Sequence, residues 1–236
     1  SQTMKKIEMV DLKSQYQRHK ADIDNAISGV INSTAFIRGP SVRQFEEELQ
    51  RYLGIRHVIS CANGTDALQV ALMALGLKPG DEVITTDFTF FASAEVIGLL
   101  GLKPVFVDPD PDTFNISPPA IEKAIRPETK AIIPVHLFGQ AADMEEILKI
   151  ARAHKLFIIE DAAQAAGTEY IFPDGTLQKA GTMGDIGCTS FFPSKNLGCY
   201  GDGGAIFTND DSLAKLLRSI CLLYTSPSPR DRTRSR

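Results

Sequence analysis

The stretch TSFFPSKNLGCYGDGGAIF, residues 189–207, sets a single lysine, Lys195, between an apolar run ending at Phe192 and glycines at 198, 201, 203 and 204. Glycine permits positive φ and close backbone approach, so this lysine belongs to a shaped loop and not to a solvated helix face. An amine held against Phe191, Phe192 and Tyr200 is expected to be partly desolvated. Desolvation disfavours the ammonium and frees the neutral amine for Schiff-base chemistry. A plain surface lysine is the alternative, and groupings elsewhere in the chain argue against it.

Asn63, Gly64, Thr65 and Asp66 lie where a strand-like run gives way to helical spacing. The free N–H groups of that first turn, with the Thr65 hydroxyl, can hold a phosphate at the positive end of the helix dipole. The same four residues also make an ordinary capped turn. Asp161 ends the apolar run LFIIE, with Gln164 three residues on. A carboxylate at the end of a buried strand needs a partner. It either caps a following helix, which would put Gln164 close to one turn away, or pairs with a cationic ligand. Aromatics in a run such as FTFF, residues 88–91, are more often core than site.

The elements that must position these groups follow from periodicity. Short apolar runs at 57–60, 82–86, 103–107, 129–135 and 157–160 alternate with helical stretches at 65–77, 91–100, 118–125 and 144–154. This rhythm predicts an α/β domain of parallel strands with right-handed crossovers, whose ligands sit at the carboxyl ends of the strands. Ahead of it, residues 11–32 are expected to form one helix, with Tyr16, Ile23, Ile27 and Val30 on one side, and residues 41–53 a second with an acidic face. The intervening FIRGP, residues 36–40, is either an interhelix turn or a segment that closes over a substrate.

Four motifs occur in order: SCANGTDAL at 60–68, DFTFFASAE at 87–95, EDAAQAAG at 160–167, and PSKNLG with GDGGAI at 193–206. Together they resemble the DegT/DnrJ/EryC1/StrS family of pyridoxal-phosphate-dependent nucleotide-sugar aminotransferases, over residues 7 to about 220. The resemblance implies a fold-type I large domain with a largely parallel seven-stranded sheet and helices on both faces. It also implies a C-terminal small domain that these residues do not supply. Lys195 would carry the cofactor and move the proton. Gly64, Thr65 and Ser190 would hold the phosphate, Asp161 the pyridine nitrogen and Gln164 the ring hydroxyl, with Phe90 stacked on the ring and Phe88 or Phe91 in the core. Arg38, Gly39, His136 and Asn196 are further candidates on the substrate side, although His136 also reads as a hydrogen-bonded structural histidine. Asp202 is explained by its turn. Glutamate would be the donor and a nucleotide-linked keto sugar, foremost a UDP-linked 3-keto uronic acid, the acceptor, in surface polysaccharide or antibiotic sugar biosynthesis. The partner would be a second copy, in a homodimer with shared sites. Relatives with histidine in place of the lysine are dehydratases, and Lys195 favours amino transfer. The rival reading is a regulatory or binding protein that keeps the fold without turnover.

Composition bounds these readings. A chain of 236 residues, 43% hydrophobic, with net charge -4, supports a sizeable core and offers no electrostatic case for nucleic acid. No apolar run reaches the 18 or so residues of a membrane span, and the expected location is cytoplasmic. The four cysteines lack CxxC spacing, so no metal site is expected. SCANGTDAL has one glycine, which excludes the GxGxxG dinucleotide fingerprint. Residues 1–3 are expected to be a non-native leader, 4–35 a helical arm, 36–220 the cofactor-binding domain and 221–236, a Ser/Pro/Arg string, an adapter-derived artefact. As written, the chain is expected to be inactive and at best a weak cofactor binder.

Overall fold

The computed structural model describes residues 7 and 9–222. Two compact units divide between Phe45 and Glu46. The expected leader at 1–3, and residues 223–236 of the expected tail, lie outside the described residues.

In the first unit the stretch expected as one helix is two, α1 (Leu12–Arg18) and α2 (Lys20–Ser33). His19 breaks it, with φ -116°, ψ 15° and its N–H turned back to the Tyr16 carbonyl. Tyr16 reaches across the break to the Asp24 carboxylate at 2.7 Å, and Lys20 joins both groups, so the kink is held by a local polar cluster. Helix α3 (Pro40–Leu53) begins one residue earlier than expected, with proline in its first turn, where a missing N–H does no harm. Gly39 precedes it, and a Cβ there would lie 2.2 Å from the Ala35 carbonyl oxygen.

The second unit is built on seven strands: β1 (His57–Cys61), β2 (Glu82–Thr86), β3 (Lys103–Val107), β4 (Thr129–Ile133), β5 (Phe157–Asp161), β8 (Ile186–Ser190) and β9 (Gly204–Thr208). Their order is β1-β9-β8-β5-β4-β2-β3. All neighbours are parallel except at β9, which runs antiparallel to both β1 and β8. Because β9 is reversed twice, β1 still points the same way as β8, and the carboxyl ends of β1, β8, β5, β4 and β2 share one edge. A separate hairpin, β6 (Glu169–Ile171) with β7 (Leu177–Lys179), branches between β5 and β8.

Strand alternation sorts the core onto two faces. Ile59, Val83, Ile133, Ile159, Ile186 and Ile206 pack with α4 (Gly64–Ala74), α5 (Ala92–Leu99) and α8 (Asp211–Leu222). Ile84, Ile132 and Ile158 pack on the other side with α6 (Pro118–Ala124) and α7 (Met144–His154). The sheet is thus covered on both faces, as expected. The expected helix and strand bounds hold to within a few residues, α7 included. Helix α8 passes residue 220 and takes in Cys221 and Leu222, the first two residues of the expected tail.

On β8, Gly187 lies against the Gly181 backbone, where an added Cβ would fall 1.9 Å from the Gly181 carbonyl oxygen. Backbone cannot yield as a side chain does, so Gly187→Ala should destabilise the domain by about 3 kcal/mol or more. Urea unfolding of the two chains side by side checks this, and equal midpoints would contradict the packing described.

Candidate active site

The site is built at the shared carboxyl edge. After β1, Asn63 caps α4: its side-chain oxygen accepts the Asp66 N–H at 2.8 Å. That narrows the expected anion cup, because the cap satisfies one first-turn donor and leaves the N–H groups of Gly64 and Thr65 without helical partners. The capped turn and the candidate phosphate site are the same object, so the two readings do not compete. Gly64 is pressed against the end of β8, where a Cβ would meet the Ser190 Cβ at 2.7 Å. Beneath it, a Cβ on Gly204 would lie 2.5 Å from the Asn63 carbonyl group. Two glycines therefore bring the helix N-terminus and the Ser190 hydroxyl to one spot.

Asp161 is buried at the end of β5. No helix follows it, so it is not an N-cap, and Gln164 does not stand one helical turn away. The carboxylate makes a tight local turn instead: Oδ1 accepts the Ala163 N–H at 3.1 Å and Oδ2 accepts the Ser93 hydroxyl at 2.9 Å. Burial raises the pKa of Asp161, and these two bonds oppose the rise. Both donors are neutral, so the charge is solvated but not matched. Gln164 Oε1 accepts the Phe138 N–H at 2.9 Å. Its amide NH2 is thereby left to donate.

These groups line one cavity of about 570 Å³, together with Lys195, Phe90, Phe192, Ser194, Thr89 and Asp202. Lys195 is half-buried on the loop after β8, its N–H bonded to the Phe192 carbonyl at 2.8 Å. Its Nζ has no hydrogen-bonded partner among the described residues. Of the three aromatics expected around it, Phe192 lines the cavity, whereas Phe191 is buried below and Tyr200 is exposed. The cysteine thiols are poor competitors as nucleophiles. Burial pushes Cys61 up to about 12 and raises Cys188 well above the ordinary range.

One expectation needs correction. Phe90 lines the cavity, yet neither Phe88 nor Phe91 is core: the three rings are 44%, 63% and 60% exposed in chain order. Asn196 is exposed, and it is the flanking Ser194 that reaches the cavity. His136 is fully buried and does not line this cavity. Its Nε2 lies 2.8 Å from Glu160 Oε1 and its Nδ1 accepts the Ala142 N–H at 3.0 Å, so the structural alternative holds. Arg38 and Gly39 belong to the first unit, Arg38 in the left-handed region at φ 49°.

The sequence reading missed Glu160 and Ser93. Glu160 is fully buried and accepts N–H groups of Gly181, Met183 and Gly184 as well as the histidine. Its signal was its place beside Asp161: neighbours on a strand face opposite ways, so two terminal carboxylates need two sets of partners.

A lysine and a buried carboxylate thus line one cavity at the carboxyl edge of an α/β sheet, where ligands of such sheets bind. The chain matches the model of the DegT/DnrJ/EryC1/StrS aminotransferase family over residues 17–235. It is 53% identical over 91% of its length to the UDP-2-acetamido-2-deoxy-3-oxo-D-glucuronate aminotransferase of Pseudomonas aeruginosa, and 52% identical over 94% to the pleiotropic regulatory protein of Geobacillus stearothermophilus. It spans 58% of the length of each. The solved structure of NtdA from Bacillus subtilis with bound cofactor PMP matches with TM-score 0.83 and 39% identity, over 92% of this chain and 48% of that one. The chain belongs to the DegT/DnrJ/EryC1/StrS aminotransferase family.

The raised pKa of Asp161 has a consequence for stability. The folded state binds the Asp161 proton more tightly than the unfolded state, so this residue's contribution falls as pH rises from the ordinary aspartate value through the folded one. Asp161→Asn removes that dependence. The variant should gain on the parent chain as pH is raised from about 3 to 8, read from unfolding midpoints in urea. A constant difference across that range would show that Asp161 does not titrate from a desolvated site.

Proposed function

We propose that this chain carries the cofactor half of a pyridoxal-phosphate-dependent aminotransferase that moves an amino group from glutamate to the keto group of a nucleotide-linked sugar. The observation that supports it is the convergence of Lys195, Asp161 and the Gly64–Ser190 cradle on one cavity. Each matches a different part of the cofactor. The Gly64 and Thr65 N–H groups, with the Thr65 and Ser190 hydroxyls, suit a phosphate at a helix N-terminus. Asp161, a buried carboxylate with neutral donors only, suits a protonated ring nitrogen. The free amide of Gln164 suits a ring oxygen, and Phe90 supplies a face against which a flat ring can stack.

When bound, pyridoxal phosphate withdraws electrons from the substrate carbon bearing the amino group. The protein's part is to bind, orient and move protons. Asp161 would keep the ring nitrogen protonated by supplying a negative charge from a largely buried position. Lys195 is the group whose Nζ is free to take a proton from one carbon and return it to another. His136 has both nitrogens engaged, and Asp161 is held by two bonds.

The acceptor is proposed to be a UDP-linked 3-keto uronic acid, by similarity to the Pseudomonas aeruginosa relative. The protein is proposed to act in the cytoplasm as a homodimer with sites shared between subunits, a reading that suits the exposed Phe90, Phe91, Phe138 and Phe192. A regulatory protein without turnover is the competing reading, which the Geobacillus stearothermophilus relative's name favours.

Borohydride reduction after incubation with pyridoxal phosphate should place a pyridoxyl group on Lys195, located by peptide mass mapping. Lys195→Ala should lose that label and, in the full-length protein, at least about a thousandfold of amino transfer. Labelling scattered over surface lysines would count against the cofactor site, and labelling at Lys195 without transfer by the full-length protein would favour the regulatory reading.

A further inference from the structure

We propose that Ser93, supported by Thr89, is a positioning residue that holds the Asp161 carboxylate aimed into the cavity. This rests on the functional reading for its purpose but not for its geometry. Ser93 lies in the first turn of α5, fully buried, with Oγ 2.9 Å from Asp161 Oδ2. Across the sheet edge this is the one side-chain hydroxyl bonded to that carboxylate among the described residues. A hydroxyl has one proton to give. Two acceptors lie within reach of that proton, Asp161 Oδ2 at 2.9 Å and the Phe90 carbonyl at 3.4 Å, and the nearer, ionisable one takes it; Ser93 then accepts from Thr89 Oγ1 at 3.3 Å. Thr89 lines the cavity, so a chain of hydroxyls runs from the cavity wall through Ser93 to Asp161. The direction of the chain matters, because each hydroxyl polarises the next and concentrates positive charge on the proton facing the carboxylate.

The same helix entry also fixes Phe90. The Ser93 N–H bonds to the Phe90 carbonyl at 3.3 Å, so the loop bearing the stacking candidate and the group steadying Asp161 are one local structure. The other charged or titratable groups around Asp161 do not duplicate this role. His136, after β4, is committed to Glu160 and Ala142; Cys188 stands opposite on β8 as a buried thiol; Lys195, Asp66 and Asp202 line the cavity without a bond to the carboxylate. A donor to a carboxylate stabilises its ionised form. Removing the Ser93 hydroxyl should therefore move Asp161 titration to higher pH and weaken its hold on a protonated ring.

The test is a carbon-13 NMR titration of aspartate carboxyl groups in the protein without cofactor, with the Asp161 signal assigned by its loss in Asp161→Asn. Ser93→Ala should raise the Asp161 midpoint, and Thr89→Val should raise it by less in the same direction. Pyridoxal phosphate affinity, followed by absorbance, should fall roughly tenfold in Ser93→Ala. That loss should shrink as pH rises and vanish when Ser93→Ala is made in Asp161→Asn. An Asp161 midpoint unmoved in Ser93→Ala overturns the proposal; should that variant not fold, an unmoved midpoint in Thr89→Val does so. A raised midpoint in a chain that takes no pyridoxyl label at Lys195 would sustain the positioning role and defeat the cofactor reading.

Discussion

Strand β5 ends on two neighbouring carboxylates that both have to leave water, and the site follows from how differently they are treated. Alternation sends Glu160 to one face of the sheet and Asp161 to the other. Glu160 meets three backbone N–H groups and a histidine, which together fill its acceptor capacity. Asp161 meets one N–H and one hydroxyl and fronts a cavity. A buried charge is tolerated when it is paired or fully hydrogen-bonded. Glu160 satisfies that condition within the protein, and Asp161 satisfies it only when something positive enters.

The saturated carboxylate makes the unsaturated one possible. By gathering Gly181, Met183, Gly184 and His136, Glu160 ties the turn before β8 and the turn after β4 to the end of β5. The His136 N–H in turn donates to the Asp161 carbonyl at 3.0 Å, and the Asp161 N–H donates to the Pro134 carbonyl at 2.9 Å. The backbone on either side of Asp161 is thus held before its side chain makes any bond. The other side of the cavity depends on close approach of a different kind, since Gly64 and Gly204 let α4, β9 and β8 meet at distances a Cβ would forbid. One half of the cavity is set by polar saturation and the other by the absence of side chains.

Much of this was legible in the chain because the parallel strands are buried on both faces and read as short apolar runs. The runs at 82–86 and 157–160 coincide with β2 and β5. Lys195 stood out because glycines and aromatics surround it. What was illegible depended on partners distant in sequence. Nothing local in GAIF announces that β9 runs antiparallel, and the β6–β7 hairpin, three residues a side, is too short for a period to show. Asp161 after an apolar run looks like a helix cap, because the Ala163 turn that replaces the helix is made by its own side chain. Ser93 reads as one small residue in a helix until the fold sets it against Asp161, 68 residues away. The aromatic run misled in the opposite sense: FTFF has the composition of core, and the structure leaves Phe88, Phe90 and Phe91 exposed.

The contrast between Asp161 and Lys195 is a contrast in rigidity, and chemistry asks for it. In the proposed role Asp161 fixes the charge of a ring nitrogen and must not move, and it is buried, bonded at both oxygens and flanked by bonded backbone. In the proposed role Lys195 carries protons between two carbons and has to swing, and it is half-buried on a loop with its Nζ unbonded among the described residues. The loop owes that freedom to its position after β8, where Gly201, at φ 136°, and Gly203, whose Cβ would meet the Cys199 sulfur at 3.0 Å, shape a return to β9 without regular structure. Strand and loop are separated by five residues, from Ser190 to Lys195. Over that span the chain passes from the Ser190 hydroxyl, set by sheet register, to the Lys195 amine on an irregular loop, so the reach of the amine is measured from a fixed point.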